Sequence, residues 1–160
     1  MNGNRYLLLV EDDLGMVEMV RYVLGEGESL IEMVHLQDGA EALDYLHGRG
    51  KFQGDDHGSP AVMLLDLKMP KIDGLEVLRQ VKNDAHLKTL PVVMLTSSKH
   101  AGDIRNCYES GANAYVVKPV DFQQFIAVIK QIVAFWMTVN QPPPVARRES
   151  TSPSLSSTKR

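Results

Sequence analysis

Short runs of apolar residues alternate with stretches of helical periodicity along this chain, and this alternation limits the possible folds more than any other feature. Four runs are apolar throughout, at residues 7–10, 62–65, 92–95 and 115–117. Continuous apolar runs of this length are typical of strands that are buried on both faces of a parallel sheet. A fifth segment, around residues 31–36, alternates in character as an edge strand does.

Between these runs, apolar residues recur at steps of three and four, as on one face of an α-helix. The closing helix has the strongest stripe, which is predicted to face the core: Phe122, Phe125, Ile129, Ile132 and Trp136. Strand and helix alternate five times, which predicts a doubly wound α/β fold. In such a sheet the crossovers are right-handed, and sites form at the carboxyl ends of the strands.

The folded domain is predicted to span residues 1–140, with residues 141–160 as a disordered tail. Eleven of the last twenty residues are Pro, Ser or Thr, so the tail cannot bury enough apolar surface to fold. The predicted domain has 13 basic and 19 acidic side chains, and its net charge of −6 argues against nucleic-acid binding. No apolar run approaches the roughly 18 to 20 residues that span a bilayer, and the N-terminus lacks the pattern of a signal peptide, so we expect a cytoplasmic protein with no membrane contact.

Polar side chains follow four of the predicted strands, at the edge of the sheet where sites form. In chain order they are Glu11, Asp12 and Asp13, then Asp66, then Thr96 and Ser97, and finally Lys118. Carboxylates that converge repel one another by roughly 4 kcal/mol per pair at a distance of about 4 Å. A cation must offset this repulsion, and because the ligand atoms are all oxygens we expect Mg²⁺.

A carboxylate beside such a cation can attack phosphorus and become an acyl phosphate. Thr96 can donate a hydrogen bond to one phosphoryl oxygen, and Lys118 can pair with another. Neither side chain needs to accept a proton, because phosphoryl transfer depends mainly on positioning and charge stabilisation. The residues therefore indicate phosphoryl chemistry at the predicted edge.

Four motifs in this order resemble the receiver domain of two-component response regulators. They are LLLVEDD, LLDLKMPKIDG, VVMLTSS and GANAYVVKPV, and the resemblance covers about residues 5–137. It implies a flavodoxin-like, five-stranded parallel sheet of order 2-1-3-4-5 with five helices. It also implies a signalling switch that accepts a phosphoryl group from a sensor histidine kinase. Such a protein is not an enzyme beyond its own phosphorylation and slow autodephosphorylation.

The resemblance assigns a role to each residue that matches the motifs. Asp66 would be the phospho-acceptor, Glu11 and Asp12 the metal-binding acidic pair, and the backbone carbonyl of Lys68 a further ligand to Mg²⁺. Asp13 is then left as the residue that caps the first helix.

The same resemblance assigns the residues that would read the phosphoryl group. Lys118 would pair with it and be followed by a cis peptide bond to Pro119. Thr96 would be the switch hydroxyl. Tyr115 would be the switch aromatic, which turns inward when Thr96 is drawn toward the phosphoryl group.

Two further features resemble the stand-alone regulators that work with phytochrome histidine kinases. A long polar segment at residues 47–60 precedes the third strand, and the closing helix runs to an aromatic pair at residues 135–136. We expect no output domain after it. Within the polar segment, Asp55, Asp56 and His57 suggest a second metal site, but a flexible loop explains them better.

The main alternative function is that of an Mg²⁺-dependent phosphatase with an aspartate nucleophile, of the haloacid dehalogenase type. Chain order opposes it, because in those enzymes the nucleophile comes first, within an Asp-x-Asp motif, and the acidic pair comes last. Here the pair precedes Asp66, and Lys68 occupies the position of the second aspartate. A degenerate receiver that serves as a scaffold is a third possibility, but all its chemical positions are filled.

The closing helix carries more apolar surface than one sheet can cover. Besides the stripe that is predicted to face the core, Val128, Ile132, Phe135 and Val139 trace a second stripe on its flank. We therefore expect a homodimer or partner contact that involves Phe135 and Val139.

Overall fold

The computed structural model describes residues 5–25 and 31–144. Its five strands are β1 (Tyr6–Val10), β2 (Met33–Leu36), β3 (Pro60–Leu65), β4 (Val92–Thr96) and β5 (Ala114–Val117). All neighbouring strands pair in parallel, in the order β2-β1-β3-β4-β5, which confirms the predicted doubly wound sheet. Residues 145–160 lie outside the described residues, so the disordered tail stays a prediction.

Four α-helices connect the strands and a fifth follows β5, as predicted. They are α1 (Leu14–Gly25), α2 (Gly39–His47), α3 (Gly74–Asn83), α4 (Ala101–Glu109) and α5 (Phe122–Ala134). Aspartates cap α2, α3 and α5, where Asp38, Asp73 and Asp121 each accept a hydrogen bond from a backbone N–H of the first turn. A π-helical turn, Phe135–Val139, extends α5.

The strands bury both faces because helices cover both sides of the sheet. Leu8 and Val10 of β1 pack into a cluster shared with α2, α3 and α4. Leu7 and Leu9, which point to the opposite face, pack against α1 and α5. The helices thus leave the carboxyl ends of the strands as an edge on which loops can carry a site.

The core-facing stripe of α5 differs from the prediction at its first residue. Phe125, Ile129 and Ile132 are buried as predicted, whereas Phe122 is 53% exposed and was wrongly assigned to the core. Phe122 lies in the first turn, directly after the capping Asp121 and before the first buried position of the helix. Helical periodicity identifies the face that a residue shares, but not where along its length the helix meets the sheet.

The closing segment also departs from the expectation that no stretch could span a membrane. Phe122–Val139 reaches the length and mean hydropathy, 1.3, of a membrane-spanning helix. Length and composition alone are weak evidence, since core helices pass the same test. Four of its side chains are buried in the core cluster that α1 and β1 share, so we describe it as a helix of the domain.

The long segment between α2 and β3 folds back onto the domain. The His57 ring stacks on Tyr45 with 4.4 Å between ring centroids, and Phe52 packs edge-on against the same tyrosine. Lys51 Nζ donates to Glu41 Oε1 at 2.7 Å, which ties the segment to the first turn of α2. In the part of the chain that the structure describes, Asp55, Asp56 and His57 do not form a metal-ligand cluster.

Gly74 begins α3 at a point where the chain passes close to the backbone of Asp66. A Cβ at Gly74 would lie 2.0 Å from the Asp66 carbonyl oxygen, so the backbone would have to shift. We expect Gly74→Ala to lower the free energy of unfolding by about 3 kcal/mol, measured by urea denaturation. A Cβ at Gly25 meets nothing within 4 Å, so Gly25→Ala is the control. Equal stability of the two variants would contradict this close packing.

Candidate functional site

Three carboxylates meet at the carboxyl edge of the sheet. Glu11 and Asp12 follow β1, and Asp66 follows β3. Each offers an oxygen atom, and these oxygens all lie within 4.8 Å of one another. Residues that are far apart in the sequence are thus close in space because their strands are parallel neighbours.

Glu11 is the most strongly held of the three. Its side chain is buried, with Oε2 accepting from Lys118 Nζ at 2.7 Å and Oε1 accepting from the Asp13 N–H at 3.1 Å. Burial raises the pKa of Glu11 to about 7, against the opposing effect of the Lys118 ammonium. The carboxylate is therefore costly to keep ionised where no further positive charge is present.

Asp66 is also buried, beside the same lysine. Lys118 Nζ lies 3.6 Å from Asp66 Oδ2, which is farther than its distance to Glu11. Burial raises the pKa of Asp66, and Lys118 opposes the rise. One ammonium thus serves two buried carboxylates, with Asp12 nearby, so the cluster is short of positive charge.

The peptide bond between Lys118 and Pro119 is trans, and no described residue has a cis peptide bond. This corrects the cis bond that the resemblance implied. A trans bond is the intrinsically favoured form before proline, by about 0.5–1 kcal/mol. The backbone of Lys118 is fixed by a hydrogen bond from its N–H to the Thr96 carbonyl, at 2.8 Å.

Asp12 and Asp13 are adjacent, but their side chains make different contacts. Asp13 Oδ1 accepts from the Gly15 N–H at 2.9 Å and from the Met16 N–H at 3.4 Å, as a helix-capping residue does. Asp12 is exposed, and its carboxylate is directed to the cluster with Glu11 and Asp66.

The two predicted switch residues meet at Ser98, in the loop that follows β4. Thr96 is buried, and its Oγ1 accepts from the Ser98 N–H at 3.3 Å. The Tyr115 hydroxyl donates to the Ser98 carbonyl at 2.9 Å. Sequence reasoning missed Ser98, because nothing in its sequence context distinguishes a linking serine from an ordinary loop residue.

Ser98 also connects this loop to the one that carries Lys68. The Ser98 hydroxyl donates to Asp103 Oδ2 at 2.6 Å, and Lys68 Nζ lies 3.8 Å from the same oxygen. The hydrogen bond from Ser98 is the main cause of the lowered pKa of Asp103. Lys68 itself lies two residues after Asp66, with an exposed side chain.

His35 is a second residue that sequence reasoning missed. Its Nε2 lies 2.7 Å from the backbone carbonyl oxygen of Glu11. In the sequence, His35 is one residue of the alternating segment 31–36. Its position could have indicated a place near the site, because His35 lies near the carboxyl end of the strand that neighbours β1 in the predicted order.

The donor set fits a divalent cation. The side chains that converge offer carboxylate oxygens, which suit hard cations such as Mg²⁺, Ca²⁺ and Mn²⁺. A dication here would offset the repulsion among three carboxylates that one lysine cannot balance. Glu11, Asp12 and Asp66 are the side chains that would hold it.

Comparisons with known proteins agree with this geometry. The response regulator receiver domain matches residues 7–130 of the chain. Response regulator Rcp1 of Synechocystis sp. is 34% identical over 142 residues, which are 88% of this chain and 95% of that protein.

Solved structures give the same relationship. The phosphorylated cyanobacterial phytochrome response regulator RcpA superposes with a TM-score of 0.83 at 33% identity, covering 89% of this chain and all of that one. The Mn²⁺-bound form of Rcp1 superposes with a TM-score of 0.82 at 33% identity, covering 88% of this chain and 99% of that one. The bacteriophytochrome response regulator RtBRR is 48% identical, with a TM-score of 0.69, covering 89% of this chain and 86% of that one.

Proposed function

The chain belongs to the response regulator receiver family, and we propose from this membership that Asp66 accepts a phosphoryl group from a sensor histidine kinase. The observation that supports the assignment is the convergence of Asp66 with Glu11, Asp12 and Lys118 at one edge of the sheet. Asp66 is the carboxylate that follows the central strand β3, and the Lys118 ammonium lies close to both Asp66 and Glu11.

In the proposed reaction, a carboxylate oxygen of Asp66 forms a bond to phosphorus. The bond from phosphorus to the kinase histidine breaks, and the imidazole nitrogen leaves with that electron pair. Lys118 pairs with the phosphoryl oxygens, and the Thr96 hydroxyl donates a hydrogen bond to one of them. Mg²⁺, held by Glu11, Asp12, Asp66 and the carbonyl of Lys68, would neutralise the charge on the transferred group.

The phosphoryl group adds a charge of about −1.5 to −2, and the proposed switch responds to it through Thr96 and Tyr115. Thr96 Oγ1 accepts from the Ser98 N–H, and Tyr115 donates to the Ser98 carbonyl. A Thr96 hydroxyl that turned to the phosphoryl group would give up its contact with Ser98 and disturb the bond to Tyr115. The protein on this proposal is a switch and not an enzyme, apart from slow autodephosphorylation.

We propose a kinase of the phytochrome type as partner, in the cytoplasm, where ATP supplies the phosphoryl group. The similarity to RcpA and RtBRR, whose names include phytochrome, supports this choice. The test is phosphoryl transfer from each labelled histidine kinase of the same organism to the purified protein. We expect a phytochrome kinase to transfer fastest. Transfer from none of the kinases would contradict the proposal.

We also propose that the protein forms a homodimer through the end of α5. Phe135 is 47% exposed and Val139 is 71% exposed, although both are apolar. Replacing both by serine is expected to shift sedimentation equilibrium from dimer to monomer. Val120→Ser is the matched control, because Val120 is fully exposed but lies in the loop before α5. A wild-type protein that stays monomeric at high concentration, with and without phosphorylation, would contradict the dimer.

A further inference from the structure

The peptide that joins Glu11 to Asp12 is held by a side chain from the neighbouring strand. His35 stands opposite Leu9 in the pairing of β1 with β2, and its Nε2 reaches past the end of β1 to the Glu11 carbonyl oxygen, 2.7 Å away. A carbonyl oxygen only accepts, so Nε2 is the donor in this bond. The bond exists for the neutral ring with hydrogen on Nε2 and for the imidazolium alike.

The three clustered carboxylates are not fixed to the same degree. Glu11 is fixed by Lys118 and by the Asp13 N–H, and Asp66 is buried beside Lys118. The Asp12 carboxylate is exposed, and no hydrogen bond joins it to another of the described residues. Its direction therefore depends on the orientation of its own backbone.

The backbone of Asp12 is held on both sides, by the bond from His35 to the Glu11 carbonyl and by the bond from the Asp13 N–H to Glu11 Oε1. Because a peptide unit is planar, the Glu11 carbonyl and the Asp12 N–H turn together. The Glu11 N–H donates to the Leu36 carbonyl of β2 at 3.1 Å, which fixes the peptide that precedes Glu11. His35 fixes the next peptide, and with it the point from which the Asp12 side chain departs.

We propose that His35 is a positioning residue for the divalent cation, acting through the Glu11–Asp12 peptide to aim the Asp12 carboxylate at the cluster. This inference rests on the proposed function, since it takes Asp12 as a metal ligand. Groups that hydrogen-bond to the ligand-bearing part of a metal site commonly change metal affinity by about 10-fold to 100-fold when removed. His35 is not one of the clustered carboxylate residues, so we expect its loss to change the affinity for the cation and not the rate of labelling at saturating Mg²⁺.

The experiment compares three replacements that differ in where they place a donor. In His35→Gln the amide nitrogen occupies a place near Nε2, whereas in His35→Asn it lies near Nδ1, out of reach of the carbonyl. His35→Ala removes the donor. His86→Ala is the matched control, because His86 is an exposed histidine outside the site.

Mg²⁺ binding is measured by isothermal titration calorimetry, and thermal unfolding without metal is measured in parallel. We expect the Kd to rise about tenfold in His35→Ala and His35→Asn, and to stay near the wild-type value in His35→Gln and His86→Ala. Labelling by acetyl phosphate at saturating Mg²⁺ is expected to reach the same rate in all of them.

The outcomes separate this inference from the proposed function. If the wild type binds Mg²⁺ and is labelled, but His35→Ala has the same Kd, the positioning role is wrong and the proposed function stands. A His35→Gln variant as weak as His35→Asn would also overturn the role, because it would show that shape matters and not the donor. If His35→Ala fails to fold, the comparison of Gln with Asn decides. A wild type that neither binds Mg²⁺ nor accepts phosphoryl would overturn the proposed function itself.

Discussion

Asp66→Asn is expected to take up no phosphoryl group when incubated with acetyl phosphate and Mg²⁺, whereas the wild type takes up one. An amide has no anionic oxygen to attack phosphorus, and on the proposed assignment the other carboxylates of the cluster hold the metal. Intact-mass measurement follows the reaction directly. The loss is expected to be complete, because the substitution removes the attacking atom itself.

A control separates this effect from a general loss of charge. Asp55→Asn removes an exposed carboxylate in the segment between α2 and β3, away from the carboxyl edge of the sheet. It is expected to label like the wild type. Equal labelling of Asp66→Asn and the wild type would overturn the assignment of the acceptor.

Asp12→Ala is expected to weaken Mg²⁺ binding by at least about tenfold while leaving the fold intact, because losing a ligand should cost no less than losing a group that only hydrogen-bonds to one. Asp12 is exposed and belongs to the set of three carboxylates, so its loss removes one ligand and little packing. Calorimetric titration with Mg²⁺ measures the change in Kd. Labelling of the wild type is likewise expected to stop when a chelator removes the metal.

The neighbouring aspartate provides the control for this substitution. Asp13 caps α1, so Asp13→Ala is expected to cost about 1 kcal/mol of stability without changing Mg²⁺ affinity. We therefore expect Asp12→Ala to change Mg²⁺ affinity but not stability, and Asp13→Ala to change stability but not Mg²⁺ affinity. An unchanged Mg²⁺ titration of Asp12→Ala would contradict the ligand role of Asp12.

Much of the site could be predicted because it depends on the direction of strands. Apolar runs that are continuous indicate strands buried on both faces, and such strands are parallel in a sheet covered by helices. Parallel strands bring their carboxyl ends to one edge, so Glu11, Asp66 and Lys118 were expected to meet. The meeting of these side chains follows from the order of the strands and helices alone.

The contacts within the site could not be predicted in the same way. Lys118 lies closer to Glu11 than to Asp66, by 2.7 Å against 3.6 Å. A difference of this size depends on rotamers and on the depth of each side chain. The role of His35 likewise requires the register of β2 against β1, which the apolar pattern of the two strands does not specify.

The apolar pattern also did not predict where along a helix the buried residues begin. The stripe on α5 predicted that Phe122 is buried, yet the helix meets the core only from Phe125 onward. A periodic pattern gives a direction around the helix axis, whereas the position along that axis depends on the loop before it. At the other end, Phe135 and Val139 of the second stripe are exposed as expected, whereas Ile132 of that stripe is buried.

The central claim is that the carboxylate of Asp66 accepts the phosphoryl group. Chemical trapping of the phosphorylated residue tests this claim most directly. Borohydride reduces an acyl phosphate to an alcohol, so the wild type is phosphorylated with acetyl phosphate and Mg²⁺, reduced, digested and sequenced by tandem mass spectrometry. We expect homoserine in place of Asp66 in the peptide that contains LLDLKMPKIDG. Homoserine at Asp12 or another aspartate, or hydroxynorvaline at Glu11 or another glutamate, with Asp66 unmodified, would contradict the account.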